Sequence, residues 1–178
     1  MKFPTALLTV GLALVATAEP IPKAFQKRAV PQCYLDALDP VADQLAMCKA
    51  LADAWNGTPC PNQAILDALD DLTALIGAAE TASQACAALN IVEGLDLAAY
   101  IQGLIDQTNA AVQAAIDKGP LCPAMDNDLC TDFNAQYAAV EDLAVVLANK
   151  APPELADLAQ ELTNQILAEI QAGIDAFC

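Results

Sequence analysis

The residues in this chain best suited to chemistry are its seven cysteines. Thiols can pair oxidatively, ligate metal or attack an electrophile. No C-x-x-C pair occurs and there is no histidine, so zinc-type ligand spacing is missing and no imidazole base is available. Ser83 is the single serine, which excludes a Ser-His triad. The seven glycines form no phosphate-cradling loop. Carboxylates are plentiful, with 23 Asp and Glu. Two of them at the right separation would cleave a glycoside. Here the acids recur at solvent-facing helix positions and no pair is singled out, so no catalytic residue and no cofactor is expected. Asp126-Asn127-Asp128 has the D-x-D start of a calcium loop but lacks the glycine and closing glutamate of an EF-hand. Those residues read instead as the negative first turn of a helix, and no metal site is expected. Asn56-Gly57-Thr58 is the only N-glycosylation sequon, and it falls in a connection.

Cysteines used as staples require an oxidising compartment, and the N-terminus is consistent with export. Lys2 precedes an apolar run from Ala6 to Val15, and Ala16-Thr17-Ala18 is a small-residue cleavage site. Residues 1–18 read as a signal peptide. Residues 19–28 read as a propeptide closed by the dibasic pair Lys27-Arg28, leaving 29–178 as a single mature domain. The mature segment keeps three lysines, Lys49, Lys118 and Lys150, against 22 acids, a net charge of −19. Such a surface repels nucleic acid and anionic lipid headgroups. No later stretch is long and apolar enough to span a bilayer.

The apolar content is 56% while aromatics are 4%, a composition dominated by Ala and Leu that favours helix. Periodicity predicts five amphipathic helices and no strand, an all-α up-down bundle stapled by disulfides. The first covers about Leu35 to Trp55, with Tyr34, Leu38, Val41, Leu45, Cys48, Ala52 and Trp55 on one face. The second covers about Pro61 to Asn90, with a bend or break at Gly77. The third covers about Leu95 to Lys118 and ends at Gly119-Pro120. The fourth starts near Pro123 or Asp126 and runs to Lys150. The fifth opens at Pro152-Pro153, with Leu155, Leu158, Leu162, Ile166, Ile170, Ile174 and Phe177 in its stripe. The short connection at 150–153 makes the last two helices antiparallel neighbours.

Alternating helix directions place Cys33 and Cys86 at one end of the bundle, and Cys48, Cys60, Cys122, Cys130 and Cys178 toward the other. A disulfide needs Cα atoms within about 7 Å, which disfavours Cys48–Cys86. The expected bridges are Cys33–Cys86, Cys60–Cys122 and Cys48–Cys130. Cys178 is then left free, able to form a disulfide-linked dimer.

The C-terminal half carries a family resemblance. Leu147 to Thr163, including Lys150-Ala151-Pro152-Pro153-Glu154, together with Gly173-Ile174-Asp175-Ala176-Phe177, resembles the last helix of the fungal hydrophobic surface-binding protein A family. That family includes the cell-wall galactomannoproteins. Ile105 to Leu121 is similar to its middle helix. The resemblance spans roughly residues 95–177. The chain departs from the family pattern in its many cysteines. It also lacks the Ser/Thr-rich stalk and anchor signal of wall-attached members, so free secretion is expected over anchoring, with association to the cell wall as the other location the family implies. The resemblance implies two activities: coating hydrophobic surfaces, and holding fatty acids between the helices.

These readings converge on a non-enzymatic binder of an apolar small molecule such as a fatty acid, or of a hydrophobic surface. The alternative is a wall, antigenic or effector protein acting by protein contact. Small residues near Ser83 and along the third helix leave room beside larger ones. The expected lining is therefore Leu104, Ile105, Leu143 and Ile166, with Thr108 and Ser83 as hydrogen-bonding groups. No Lys or Arg falls on an apolar stripe.

Overall fold

The computed structural model describes residues 30–178. The signal peptide and propeptide read from the sequence lie outside the described residues. Five helices follow one another: α1 (Gln32–Ala54), α2 (Gln63–Ala85), α3 (Ile91–Lys118), α4 (Asp126–Lys150) and α5 (Ala156–Phe177). Among the described residues there is no strand, and no helix is long and apolar enough to cross a membrane.

Local chemistry sets the helix ends. Asn62 caps α2, its side-chain oxygen accepting from the Ala64 amide at 3.2 Å. Asn90 and Glu93 form a reciprocal capping box at the start of α3, with bonds of 3.0 and 2.9 Å. That box starts α3 at Ile91, four residues before the position expected from periodicity, and it shortens α2 correspondingly. α2 is one unbroken helix. A Cβ at Gly77 would meet nothing within 4 Å, so the glycine there neither makes room for a neighbour nor breaks the element. Short 3-10 turns at Gly119–Leu121 and Pro123–Met125 lead into α4, and another at Pro153–Leu155 leads into α5.

The helices pack as a closed ring. Each has two principal neighbours, in the order α1, α2, α4, α5, α3 and back to α1. α4 and α5 are antiparallel neighbours, as the short connection requires. The stripe of α1 is buried throughout: Tyr34, Leu38, Val41, Leu45, Cys48, Ala52 and Trp55 all belong to the core. The stripe of α5 behaves differently. Only Leu162 and Ile170 of its seven large apolar residues are fully buried.

Disulfides close both ends of the ring. Cys33–Cys86 joins the start of α1 to the end of α2, with Cα atoms 5.8 Å apart, and Cys60–Cys122 joins two connections at the opposite end at 5.7 Å. Both match the expected pairs. The third expectation is corrected: Cys130 bonds to Cys178, Cα atoms 5.2 Å apart, and the free thiol is Cys48. The ring order gives the reason. α4 packs between α2 and α5, so Cys130 in its first turns meets the C-terminus of α5 and does not reach α1. The Cys178 bond also closes the route to a disulfide-linked dimer through that residue. Cys48 is buried, its thiol donating to the Ala68 carbonyl at 3.4 Å. Burial, with a smaller contribution from Asp71, pushes that thiol up to about 11, which makes it a packing residue and a poor nucleophile.

Candidate functional site: an apolar cavity along the ring

A ring of five helices encloses space along its axis, and here it is partly open. A cavity of about 110 Å³ runs from the end where α3 begins and α4 ends to the middle of the bundle. All five helices line it. α1 contributes Leu38, Val41 and Leu45, and α2 contributes Leu72 and Ile76. α3 contributes Gly94, Leu97, Ala98, Ile101, Leu104 and Thr108. α4 contributes Gln136 and a run from Val140 through Leu143, Ala144, Leu147 and Ala148. α5 supplies Leu158, Ala159, Leu162, Thr163, Ile166 and Ile170. Half-buried Leu158 and Ile166 of α5 thus border the cavity together with the buried Leu162 and Ile170.

Two glycines let elements approach closely. A Cβ at Gly94 would fall 2.6 Å from Leu155 Cδ1 at the cavity mouth. A Cβ at Gly173 would sit about 2.9 Å from the Phe133 ring, which stacks on Phe177 with centroids 5.8 Å apart.

Of the expected lining residues, Leu104, Thr108, Leu143 and Ile166 face this cavity. Two expectations are corrected. Ile105 lies one residue round α3 from Leu104 and borders a shallow polar groove between α3 and α5, beside Asp106, Asn109 and Glu169. Ser83 is completely buried near the end of α2 and is not among the lining residues, and its hydroxyl has no hydrogen-bond partner. Gln136 was missed by the sequence reading. It is a polar residue on the inward face of α4, three residues from Phe133 and four from Val140, and that spacing was the available signal.

The electrostatics are simple. The lining contains no charged residue. Each lysine of the described residues is engaged elsewhere. Lys49 pairs with Asp53. Lys118 donates to the Trp55 carbonyl at 2.7 Å, and Lys150 donates to the carbonyls of Gln84 and Cys86 at 2.7 and 2.6 Å. Just outside the lining, the Tyr100 hydroxyl donates to Asp39 at 2.7 Å, tying α3 to α1. Burial, and then that carboxylate, raises the Tyr100 phenol well above its ordinary range. The polar groups of the cavity are the neutral side chains Thr108, Thr163 and Gln136. Among the described residues no cluster of His, Cys, Asp or Glu is arranged to hold a metal. The arrangement suits apolar contact with a few fixed hydrogen bonds.

Residues 32–149 match the family described as hydrophobic surface binding protein A. The chain belongs to that family. Its resemblance, read first from the C-terminal half, therefore extends over α1 to α4. Among its relatives, cell wall mannoprotein 1 of Aspergillus fumigatus is 30% identical over 182 residues, covering 99% of this chain and 60% of that protein. Cell wall mannoprotein 1 of Talaromyces marneffei is 36% identical over 91 residues, covering 50% and 20%. The chain thus spans about 60% of the length of the Aspergillus fumigatus relative and less of the Talaromyces one. The fold is also that of ligand binding domain 2 of the Penicillium marneffei MP1 protein, solved with multiple arachidonic acids. The TM-score is 0.79 at 23% identity, over 83% of this chain and 95% of that one. AFMP4P in complex with palmitic acid has a TM-score of 0.77 at 18% identity, over 83% and 99%. Both of these neighbours were solved with a fatty acid bound, and the mannoprotein relatives together with three disulfides fit a secreted or cell-wall protein.

Proposed function

We propose that this chain is an exported, non-enzymatic binder of apolar small molecules, and that a single acyl chain is the ligand its cavity fits. The observation that carries the reading is the cavity itself, apolar, uncharged and bordered by all five helices. The acyl ligands of the two similar folds support it. At about 110 Å³ the space is small beside the roughly 300–1,000 Å³ of usual ligand pockets. An acyl chain therefore enters as a thread from the mouth and parts the half-buried face of α5 as it goes. Each methylene buried contributes about 0.8 kcal/mol, so a long chain binds without a charged partner.

The test is titration of the oxidised mature protein with a fluorescent fatty acid, followed by displacement with unlabelled chains. Saturable, displaceable binding is expected. Leu143→Asp or Leu104→Asp should abolish it, while Val145→Asp on the exposed side of α4 should not. No saturable binding by the folded protein would overturn the reading. A second reading, contact with a hydrophobic surface, is favoured by Ile91, Val92 and Leu95. These are 47%, 65% and 49% exposed in the first turns of α3, beside the lining residues Gly94 and Ala98. Adsorption to alkane droplets that is lost in Val92→Glu/Leu95→Glu would support it.

A further inference from the structure

The polar groups of the cavity are not spread evenly along it. The mouth is bordered by Gly94, Ala98, Ala148, Ala151 and Leu155, none of which has a polar side chain. Thr163 lies partway in, about 10 Å along α5 from Ala156, its hydroxyl donating to the Ala159 carbonyl at 2.9 Å, while Thr108 and Gln136 sit at the inner end. At about 1.5 Å per residue, Thr108 lies about 25 Å along α3 from Ile91, and Gln136 about 21 Å along α4 from Lys150. Both are buried, at 5% and 4% exposure.

Their existing bonds define what a ligand would meet. The Thr108 hydroxyl donates to the Leu104 carbonyl at 2.9 Å, so toward the cavity its oxygen acts as an acceptor. Gln136 Nε2 donates one hydrogen toward the Leu69 carbonyl at 3.4 Å and has a second to give. The inner end thus offers acceptors, Thr108 Oγ1 and Gln136 Oε1, and one free donor hydrogen, on Gln136 Nε2. An alcohol, a primary amide or a protonated carboxylic acid satisfies both. An ionised carboxylate only accepts, so it leaves Thr108 facing an oxygen of like polarity. No cation offsets its desolvation, because the described lysines are all committed outside the lining. Burying an unpaired carboxylate is costly enough that the group takes up a proton instead.

We propose that the cavity takes single-chain lipids by an uncharged head, held at Thr108 and Gln136, and discriminates against the ionised acid. This inference rests on the apolar-ligand reading above. It makes fatty-acid affinity depend on pH through the ligand's own carboxyl. None of the residues lining the cavity, from any of the five helices, is an acid, a base, a tyrosine or a cysteine.

The experiment compares dodecanoic acid with dodecan-1-ol as competitors of a neutral fluorescent apolar probe, at pH 5, 6.5 and 8. If only the protonated acid binds, its affinity falls about tenfold per pH unit above its pKa. A loss of a hundredfold or more between pH 5 and 8 is expected, while the alcohol, which also reports any change in the protein, stays within a few-fold. Thr108→Val keeps the shape and removes its acceptor. It should weaken the alcohol, and the acid at pH 5, by about tenfold more than it weakens the probe. Dodecanoic acid binding as tightly at pH 8 as at pH 5 would overturn the inference, and its weakening at pH 8 in Lys150→Gln would then assign the head to the mouth. Failure of both the probe and the alcohol to bind at any pH would instead overturn the underlying reading.

Discussion

Filling the cavity should stabilise the protein and disable it in one step. Ala144 lies on α4 beside Leu143 and borders the cavity with its methyl group. Ala144→Phe would direct a ring into the space without removing any existing contact. Voids in protein cores cost about 24 cal/mol per Å³. For about 110 Å³ that amounts to about 2.6 kcal/mol, an upper bound on what filling recovers. For a domain of about 150 residues, 1 kcal/mol moves Tm by about 2–4 °C. Complete filling would therefore raise Tm by about 5–10 °C, and partial filling by less. The measurement is a circular dichroism melt under non-reducing conditions, without ligand, paired with the fluorescent fatty-acid titration. Higher Tm together with at least a tenfold loss of affinity is expected. If the alanines of α4 were there only to let helices pack closely, the same ring would overpack the core and cost about 1–3 kcal/mol. A lower Tm with binding retained would refute the cavity argument.

Further expectations concern charge and sulfur. Burial, reinforced by Asp70 and Asp128, raises the Asp132 carboxyl from 3.8 to about 6. The folded chain then holds this proton more tightly than the unfolded chain, so stability falls as pH rises from about 4 to 6 and the penalty is complete above that window. Asp132 is only partly buried, so solvent screening reduces the effect to about 1 kcal/mol. Asp132→Asn should accordingly melt a few degrees higher than the parent at pH 7 and equally at pH 4; equal melting at pH 7 would contradict the shift. Peptide mapping of the non-reduced protein should return Cys33–Cys86, Cys60–Cys122 and Cys130–Cys178. Cys48 should resist alkylation at pH 8 until the chain is denatured, and a crosslinked peptide containing Cys48 would refute the ring order.

The cavity and the exposed start of α3 bring the two proposed ligands, an acyl chain and a hydrophobic surface, to one end of the bundle. Ile91, Val92 and Leu95 surround the residues that open the cavity. A hydrophobic surface touching them would face the mouth through which an acyl chain enters. The strong net negative charge of the chain favours an uncharged surface over an anionic one.

Much of this was legible in the residues. The four-and-three spacing from Tyr34 to Trp55 identified the inward face of α1, because periodicity reports which side of a helix is turned from water and nothing beyond that helix is needed. Proline, glycine and asparagine marked the connections for similarly local reasons. The missing histidine excluded an imidazole base, a histidine metal site and a Ser-His triad before any fold was known. The arrangement of the helices around one another was not local. The Cys48–Cys130 expectation failed because both cysteines were assigned to the correct end of the bundle without knowledge that α1 and α4 are not neighbours. Ile105 was misplaced because one residue of a helix turns the side chain by about 100°, enough to move it from the axis to the groove between α3 and α5. The cavity itself also depended on tertiary structure. The same stripes of Leu, Ile and Ala would serve a solid core or a hollow one, and the outcome is set by five helices closing into a ring whose side chains do not quite meet at its centre.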